Sequence, residues 1–334
     1  MDLIRKRAFA RAGLIGNPSD GYGGKTISVI VRNFWAQVTL YEWERLEIVP
    51  SRNDDSIFRS IHELAHDVKL HGYYGGIRLV KATIKGFVDY CVQRDLALHD
   101  RNFSIRYETT IPRQVGMAGS SAIVVATLRA LAEFYGITIP LPVFPSLVLS
   151  IEREELGIPA GLQDRVIQVY EGAVYMDFGK MEQQDGFVCG RYESIDTTTL
   201  PPLYVAFSSE FSEPTEVFHN NLRFRFDHGE SEVVQAMQTF AELAEKAKAA
   251  IAARDARELS RLMDVNFDLR RSICKLPQEH IEMIETARKL GVSAKFAGSG
   301  GAIIGVCESD DVFENLKTDM KRIGCTCFRP SITS

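Results

Sequence analysis

Residues 103–136 constrain the fold of this chain more than any other segment, because they place a strand, a glycine turn and a helix in direct succession. In FSIRYETTIP, the apolar side chains of Phe103, Ile105 and Tyr107 alternate with polar ones, which predicts a strand with one buried face. The turn QVGMAGSS follows, and AIVVATLRALAEFYG then predicts a strongly apolar helix that ends at Gly136. The fold must therefore contain both strands and helices.

The rest of the chain continues this mixture of elements. SLVLSIEREELGI and GLQDRVIQVYEG predict helices and AVYMDFG predicts a strand, whereas residues 182–200 turn polar and lose periodicity. Beyond them come a strand LYVAFSS, a long Ala/Glu/Lys helix and a glycine loop AGSGG that leads into the strand AIIGVC. This order predicts an α+β protein of two lobes, with a boundary that separates residues 1–195 from residues 196–334.

The composition excludes several classes of function. The 334 residues are 45% hydrophobic and 25% charged, as in an ordinary soluble protein, and the net charge of −5 gives no reason to expect a nucleic-acid partner. Six scattered cysteines suggest neither a disulfide framework nor a zinc ribbon. No signal-peptide pattern or membrane-length apolar run is seen. We therefore expect a cytoplasmic protein that binds neither nucleic acid nor a membrane, of unknown oligomeric state.

The strongest local signal for chemistry is GMAGSSA, residues 116–122. Small residues let the backbone approach an anion, and the helix that follows presents unpaired N–H groups and the positive end of its dipole. The hydroxyls of Ser120 and Ser121 add ligands for phosphate or a metal ion. The alternative is that one serine only caps the helix while the glycines form the turn.

Two further stretches are candidates for the same chemistry. Glu152 and Asp164 could serve one phosphoryl transfer, with one carboxylate for Mg²⁺ and one that faces the nucleophilic hydroxyl. Alternatively, the acidic run that begins at Glu152 is a solvated helix face. In KFAGSGGAIIG, a glycine loop could close over phosphates with Lys295 as a point charge, or form a simple tight turn.

Two stretches resemble known functional motifs but lack features that those motifs require. GNPSDGYGGKTIS ends like a P-loop at Gly24-Lys25-Thr26, but Ser19 stands where the pattern needs Gly, and the residues that follow predict strands instead of a helix. HELAH, residues 62–66, matches a zinc-peptidase pattern, but its two histidines flank the apolar stripe of an amphipathic helix. We read this second stretch as a solvated helix and keep a metallopeptidase as a distant alternative.

The three glycine-rich stretches, with the Glu152 and Asp164 pair between the second and third, resemble in order and spacing the GHMP small-molecule kinases. PRQVGMAGSSA is similar to the family's Pro-x3-Gly-Leu-Gly-Ser-Ser-Ala. Within this superfamily the chain resembles plant-type glucuronokinases nearly end to end, as in GLIGNPSD, RNFWAQVTL and ELGIPAGLQDRVIQVYEG. The resemblance implies a two-lobed GHMP kinase fold, with a ribosomal protein S5 domain 2-like N-terminal lobe and a ferredoxin-like C-terminal lobe.

The same resemblance implies a set of ATP and metal ligands. The residues that would hold the ATP phosphates are Gly116, Met117, Ala118, Gly119, Ser120 and Ser121, with Gly298, Ser299 and Gly300 bordering them from the second lobe. Ser121 and Glu152 would ligate Mg²⁺. The family's common Leu-Gly is Met117-Ala118 here, and the Cβ of Ala118 restricts the loop backbone.

On the acceptor side, the resemblance implies phosphorylation of the anomeric hydroxyl of D-glucuronate. Asp164 would take the proton of that hydroxyl or orient it, Arg11 would be the cation that stabilises the site, and Asp20 and Gly161 would border the sugar. A uronate also asks for a cation near its carboxylate. The candidates for that cation are Arg113, Arg165, Arg270 and Arg271.

Two alternatives to a glucuronate kinase stay open. One is a kinase for another sugar or sugar acid, such as galacturonate or a heptose phosphate. The other is a catalytically silent binding protein on the same fold, against which the intact Ser121, Glu152 and Asp164 speak.

Overall fold

The computed structural model of the chain describes residues 3–50, 75–208 and 222–333, so the HELAH stretch lies outside the described residues. Its first sheet is organised by one 19-residue strand, β2 (Lys25–Trp43), which is the apolar segment predicted to form strands. β2 pairs antiparallel with β1 (Ile4–Ile15). The sheet order is β3 (Glu47–Val49), β4 (Asn102–Thr109), β2, β5 (Ala173–Gln184) and β6 (Phe187–Ile195), with β3 parallel to β4 and the other pairs antiparallel.

The strand, turn and helix predicted for residues 103–136 are all present. In β4, Phe103, Ile105 and Tyr107 are buried as the alternation predicted. Helix α2 (Gly119–Tyr135) follows the glycine turn and ends at Gly136, which adopts the left-handed conformation expected of a helix-terminating glycine. The helix packs on β1 and β2, and its apolar residues are almost all buried.

Three other α-helices of the first lobe lie in the described residues. They are α1 (Gly76–Val92), α3 (Val143–Ser150) and α4 (Gln163–Tyr170). α3 continues into a π-helical turn, Ile151–Glu155, a local distortion that is frequent at functional sites.

The second sheet has the order β10 (Thr326–Phe328), β7 (Leu203–Phe207), β9 (Ala302–Val306) and β8 (Lys295–Phe296), all antiparallel. The longer helices described in this region are α5 (Ser231–Ala252), α6 (Ala256–Ile273), α7 (Gln278–Lys289) and α8 (Asp310–Arg322), and residues 222–227 are also helical. α5 packs on β2 of the first sheet as well as on α6, so one hydrophobic core extends across both sheets. Within the described residues, no helix is long and apolar enough to cross a membrane.

The polar stretch at residues 182–200 is not irregular, as its composition suggested, because it contains the whole of β6. β6 is the last strand of the first sheet and pairs only with β5 among the described strands. A strand of this kind has one solvated edge, which explains why its sequence is polar. The lobe boundary after residue 195 stays a prediction.

Candidate active site

Three glycine loops from distant parts of the sequence meet in space. Gly116 has φ +70°, and a Cβ on it would lie 2.5 Å from the carbonyl oxygen of Gly300. A Cβ on Gly298 would in turn collide with the carbonyl oxygen of Gly116. The first loop joins the same place, because the Gly13 N–H donates to the Ala297 carbonyl at 2.7 Å. Only residues without side chains allow the backbones to approach this closely.

Arg11 and Asp164 form a fork at this meeting point. Arg11 Nε donates to Asp164 Oδ1 at 2.6 Å, and Nη2 donates to Oδ2 at 2.8 Å. Arg11 Nη1 also donates to the carbonyl oxygens of Gly116 and Ala297. Arg11 is buried and the Asp164 side chain is 22% exposed, so the guanidinium fixes a carboxylate that remains partly accessible.

Asp20 lies beside this pair although 144 residues separate it from Asp164. It sits in a single 3₁₀ turn, Ser19–Tyr22, and a Cβ on Gly161 would lie 2.5 Å from its Oδ2 atom. Burial and the negative charge of Asp164 raise the pKa of Asp20 to about 7, against the opposing effect of Arg11. Two carboxylates and a glycine thus share a small polar space next to the glycine loops.

Glu152 and Ser121 form a second cluster behind the first. Ser121 Oγ donates to Glu152 Oε1 at 2.9 Å, and Arg165 Nε donates to Glu152 Oε2 at 2.5 Å. Glu152 is fully buried on the π-helical turn. A carboxylate and a hydroxyl are hard oxygen ligands, and Mg²⁺ is usually held by one or two carboxylates together with substrate phosphates. These residues therefore fit the predicted metal, although no group of three ligands exists within the described ranges.

The phosphate-loop candidates differ in what they can offer a ligand. The Met117 side chain is buried in the core, so this residue can contribute only its backbone. Ser120 is half-buried at the first turn of α2. Ala118 has φ 58° and ψ 44°, a left-handed conformation that an L-residue rarely adopts. Its carbonyl oxygen accepts a hydrogen bond from Gln168 Nε2 at 2.8 Å, a residue that the sequence analysis did not select.

The arginines selected for a uronate occupy four different environments. Arg165 bridges Glu152 and the Gly161 carbonyl, which accepts from Nη1 at 2.9 Å. Arg270 donates to the carbonyl oxygens of Gly298 and Ser299 at 2.7 and 2.6 Å, and burial lowers its pKa to about 10. Arg271 is exposed and pairs with Glu285 at 3.4 Å, and Arg113 is exposed as well. Arg270 thus supports the third glycine loop from behind.

The two lysines of the glycine-rich stretches do not line this space. Lys295 is 1% exposed and donates from Nζ to Gly13 O, Asn17 Oδ1 and Phe296 O, each at 2.7 Å. It joins the first and third loops, so the expectation of a point charge on phosphates was wrong. Lys25 begins β2 and pairs with Glu245, as expected of a chain without a P-loop.

Comparison with known proteins gives one consistent result. Family models match at residues 78–172 (GHMP kinases N terminal domain) and 247–324 (GHMP kinases C terminal). Glucuronokinase 1 of Arabidopsis thaliana is 43% identical over 331 residues, which cover 97% of this chain and 90% of that protein. Probable glucuronokinase 2 of the same plant is 45% identical over 331 residues, which cover 96% and 89%. The structure of Lactococcus lactis galactokinase complexed with galactose shares the fold, with a TM-score of 0.80 at 15% identity over 100% of this chain and 94% of that one.

Proposed function

The chain belongs to the GHMP kinases, and from this premise we propose that it transfers the γ-phosphoryl group of ATP to the anomeric hydroxyl of D-glucuronate. The family and the α+β two-lobed fold predicted from the sequence are confirmed. The choice of glucuronate is supported by two relatives above 40% identity over nearly the whole chain, both glucuronokinases by name. The products are glucuronate 1-phosphate and ADP.

The observation that carries the chemistry is the Arg11–Asp164 fork. Asp164 is held at both oxygens by Arg11 and remains partly exposed next to Asp20 and Gly161. In our proposal Asp164 receives or orients the proton of the sugar hydroxyl, because phosphoryl transfer depends mainly on alignment of the acceptor and neutralisation of charge. Arg11 holds Asp164 in place, and its contact with the Gly116 carbonyl ties this carboxylate to the phosphate loop.

The ATP side is assigned to the second and third glycine loops. Residues 116–121 and 298–300 would cradle the phosphates with their backbone N–H groups at the start of α2. Ser121 and Glu152 would hold Mg²⁺, which when bound would neutralise phosphate charge. Arg165 already neutralises part of the buried Glu152 charge, so this side chain is oriented before any ligand binds.

Two broader expectations are part of the proposal. Residues 1–195 would form the ATP-binding lobe and residues 196–334 the C-terminal lobe. A cytoplasmic location is supported by six cysteines that are all free thiols in the structure.

The test is an ADP-release assay with glucuronate, galacturonate, glucose and a heptose phosphate. We expect turnover with glucuronate that depends on Mg²⁺, and a stronger response to another acceptor would reassign the substrate within the same family. Asp164→Asn should lower kcat about 10²- to 10⁴-fold with little change in ATP binding. Asp319→Asn, a half-buried carboxylate on α8 paired with Arg322, is the matched control and should behave as wild type.

Asp164→Asn also leaves Arg11 buried without its anionic partner, which can cost about 3 to 5 kcal/mol of stability. The kinetic comparison therefore needs a thermal unfolding curve of the variant at the assay temperature. Near-normal turnover by a folded Asp164→Asn protein would remove Asp164 from the proposed role.

A further inference from the structure

Two arginines that the sequence analysis did not select attach to the acceptor side of the site. Arg153 Nε donates to the carbonyl oxygen of Ala160 at 2.9 Å. Arg223 Nη1 donates to the carbonyl oxygen of Gly21 at 2.7 Å. The first follows helix α3 on the π-helical turn, and the second lies in the other lobe, so the fold brings them together from 70 residues apart.

The positions of these two hydrogen bonds place the guanidinium groups around one contact. Gly21 follows Asp20 and Ala160 precedes Gly161, and Asp20 Oδ2 faces Gly161 across the gap between the two loops. Asp164 lies close to this contact, since its charge raises the pKa of Asp20. Arg153 and Arg223 therefore belong to the border of the same acceptor space that contains the catalytic carboxylate.

The electrostatics of this border favour an anion. The pKa of Arg153 is lowered by burial first, and then by the positive charges of Arg165 and Arg223. Arg165 is neutralised by the buried Glu152, and Arg223 pairs with Asp227 at 3.1 Å in an exposed i,i+4 contact of small energy. Within residues 3–50, 75–208 and 222–333, no carboxylate lies within salt-bridge distance of Arg153. Three arginines thus lie in one region, and only Arg165 has its positive charge neutralised by a buried carboxylate.

The geometry of Arg153 suits it to recognise a planar anion. Its Nε–H is held by the Ala160 carbonyl, and across the described residues its guanidinium makes no other hydrogen bond. This single hydrogen bond fixes the plane of the guanidinium. The terminal N–H groups can then still donate two parallel hydrogen bonds to a carboxylate. Arg223 lies over the Tyr22 ring, 5.4 Å from its centroid, which orients the second guanidinium toward the same loop.

We propose that Arg153 and Arg223 together bind the carboxylate of the acidic sugar and set the preference for a uronate over a neutral sugar. This inference rests on the proposed function. This pair is preferred to the earlier candidates because Arg153 and Arg223 both donate to the loops that carry Gly161 and Asp20. Arg165 and Arg270 are instead buried on Glu152 and on the carbonyls of the third glycine loop, and Arg271 pairs with Glu285. The sugar then spans the Asp20–Gly161 contact, with its anomeric hydroxyl at Asp164 and its carboxylate at the arginines.

The test compares Arg153→Met, Arg223→Met and the double variant with wild type in steady-state kinetics. We expect each single variant to raise the KM for glucuronate about 10- to 100-fold, the range of one lost charge-assisted contact. The KM for ATP and the kcat should change less than about threefold. Selectivity for glucuronate over glucose should fall by the same factor as the KM rises. Arg322→Met, an equally exposed arginine on α8, serves as the matched control.

The conservative variants Arg153→Lys and Arg223→Lys retain the positive charge without the two-pronged guanidinium, so the KM for glucuronate should rise about 3- to 10-fold. These variants also keep the inference testable if a methionine variant does not fold. An unchanged KM for glucuronate, or a loss of kcat or ATP affinity at unchanged glucuronate KM, overturns the inference. Failure of wild type to phosphorylate any uronate would instead overturn the proposed function, so the two failures are distinct.

Discussion

Ala118 is the residue whose substitution tests the phosphate loop most directly. It precedes α2 with φ 58° and ψ 44°, where an L-residue costs about 1 to 2 kcal/mol relative to its preferred conformations. Glycine adopts this conformation without penalty, but it also gains freedom in the unfolded chain, which offsets about 0.4 to 1 kcal/mol. We therefore expect Ala118→Gly to stabilise the protein by about 0.5 to 1 kcal/mol.

The corresponding change in melting temperature is small for a chain of this size. An unfolding entropy of about 2.1 cal/mol/K per residue over 334 residues gives a shift of about 1 °C. Urea unfolding measured by circular dichroism is the better assay, because the transition midpoint resolves half a kcal/mol. Nucleotide binding should be retained, since the Ala118 carbonyl that Gln168 holds belongs to the backbone.

Ala126→Gly is the matched control for this substitution. Ala126 is fully buried in the middle of the same helix, where glycine should destabilise by about 1 kcal/mol or more. Opposite signs for the two variants would support the left-handed conformation of residue 118. If Ala118→Gly destabilises as much as Ala126→Gly, the inference that this loop stores backbone strain is refuted.

Three further predictions concern Asp20, Gly298 and Lys295. The pKa of Asp20 is about 7 in the folded protein, above its ordinary value of 3.8, so the folded protein binds the extra proton and stability falls as pH rises from about 4 through 7. Urea unfolding should therefore show that the stability of Asp20→Asn relative to wild type increases by on the order of 2 kcal/mol between pH 5 and pH 8. A difference in free energy of unfolding that does not change with pH would contradict this. Gly298→Ala places a Cβ against the Gly116 carbonyl and 3.0 Å from Arg11 Nη1, so the KM for ATP should rise about 10-fold in the ADP-release assay; unchanged kinetics would mean that the loops do not close on each other. Lys295→Met removes three buried 2.7 Å hydrogen bonds and should destabilise by about 3 kcal/mol in urea unfolding, whereas equal stability would mean that burying the ammonium costs as much as its bonds return.

Local signals in the sequence were sufficient for the elements that carry the site. Alternation identified β4, and the glycine turn with its apolar continuation identified α2, because each depends on neighbours within a few residues. The polar composition of residues 182–200 did not reveal strand β6, because an edge strand and a linker are both exposed to solvent. The family resemblance then assigned roles that spacing could not.

The partners of the charged residues could not be predicted, because they come from distant parts of the chain. Glu152 and Asp164 share Arg165 as a partner: Glu152 contacts Ser121 and Arg165, whereas Asp164 contacts Arg11 and lies 3.6 Å from Arg165 Nη1. Nothing in the local sequence distinguishes Arg270, which is buried and holds a loop, from its neighbour Arg271, which is exposed. The choice between these environments is made by tertiary packing, over separations of 13 to 153 residues.

The buried cations have a common effect on the glycine loops. Arg270 holds the carbonyl oxygens of Gly298 and Ser299, while Arg11 holds that of Gly116. In a planar trans peptide the N–H of the next residue points opposite to the carbonyl. Fixing these oxygens on buried guanidinium groups therefore turns the N–H groups of the following residues to the opposite side of each loop. Backbone N–H groups oriented in this way before binding are what an anionic phosphate requires, so under the proposed function these buried cations would prepare the phosphate site.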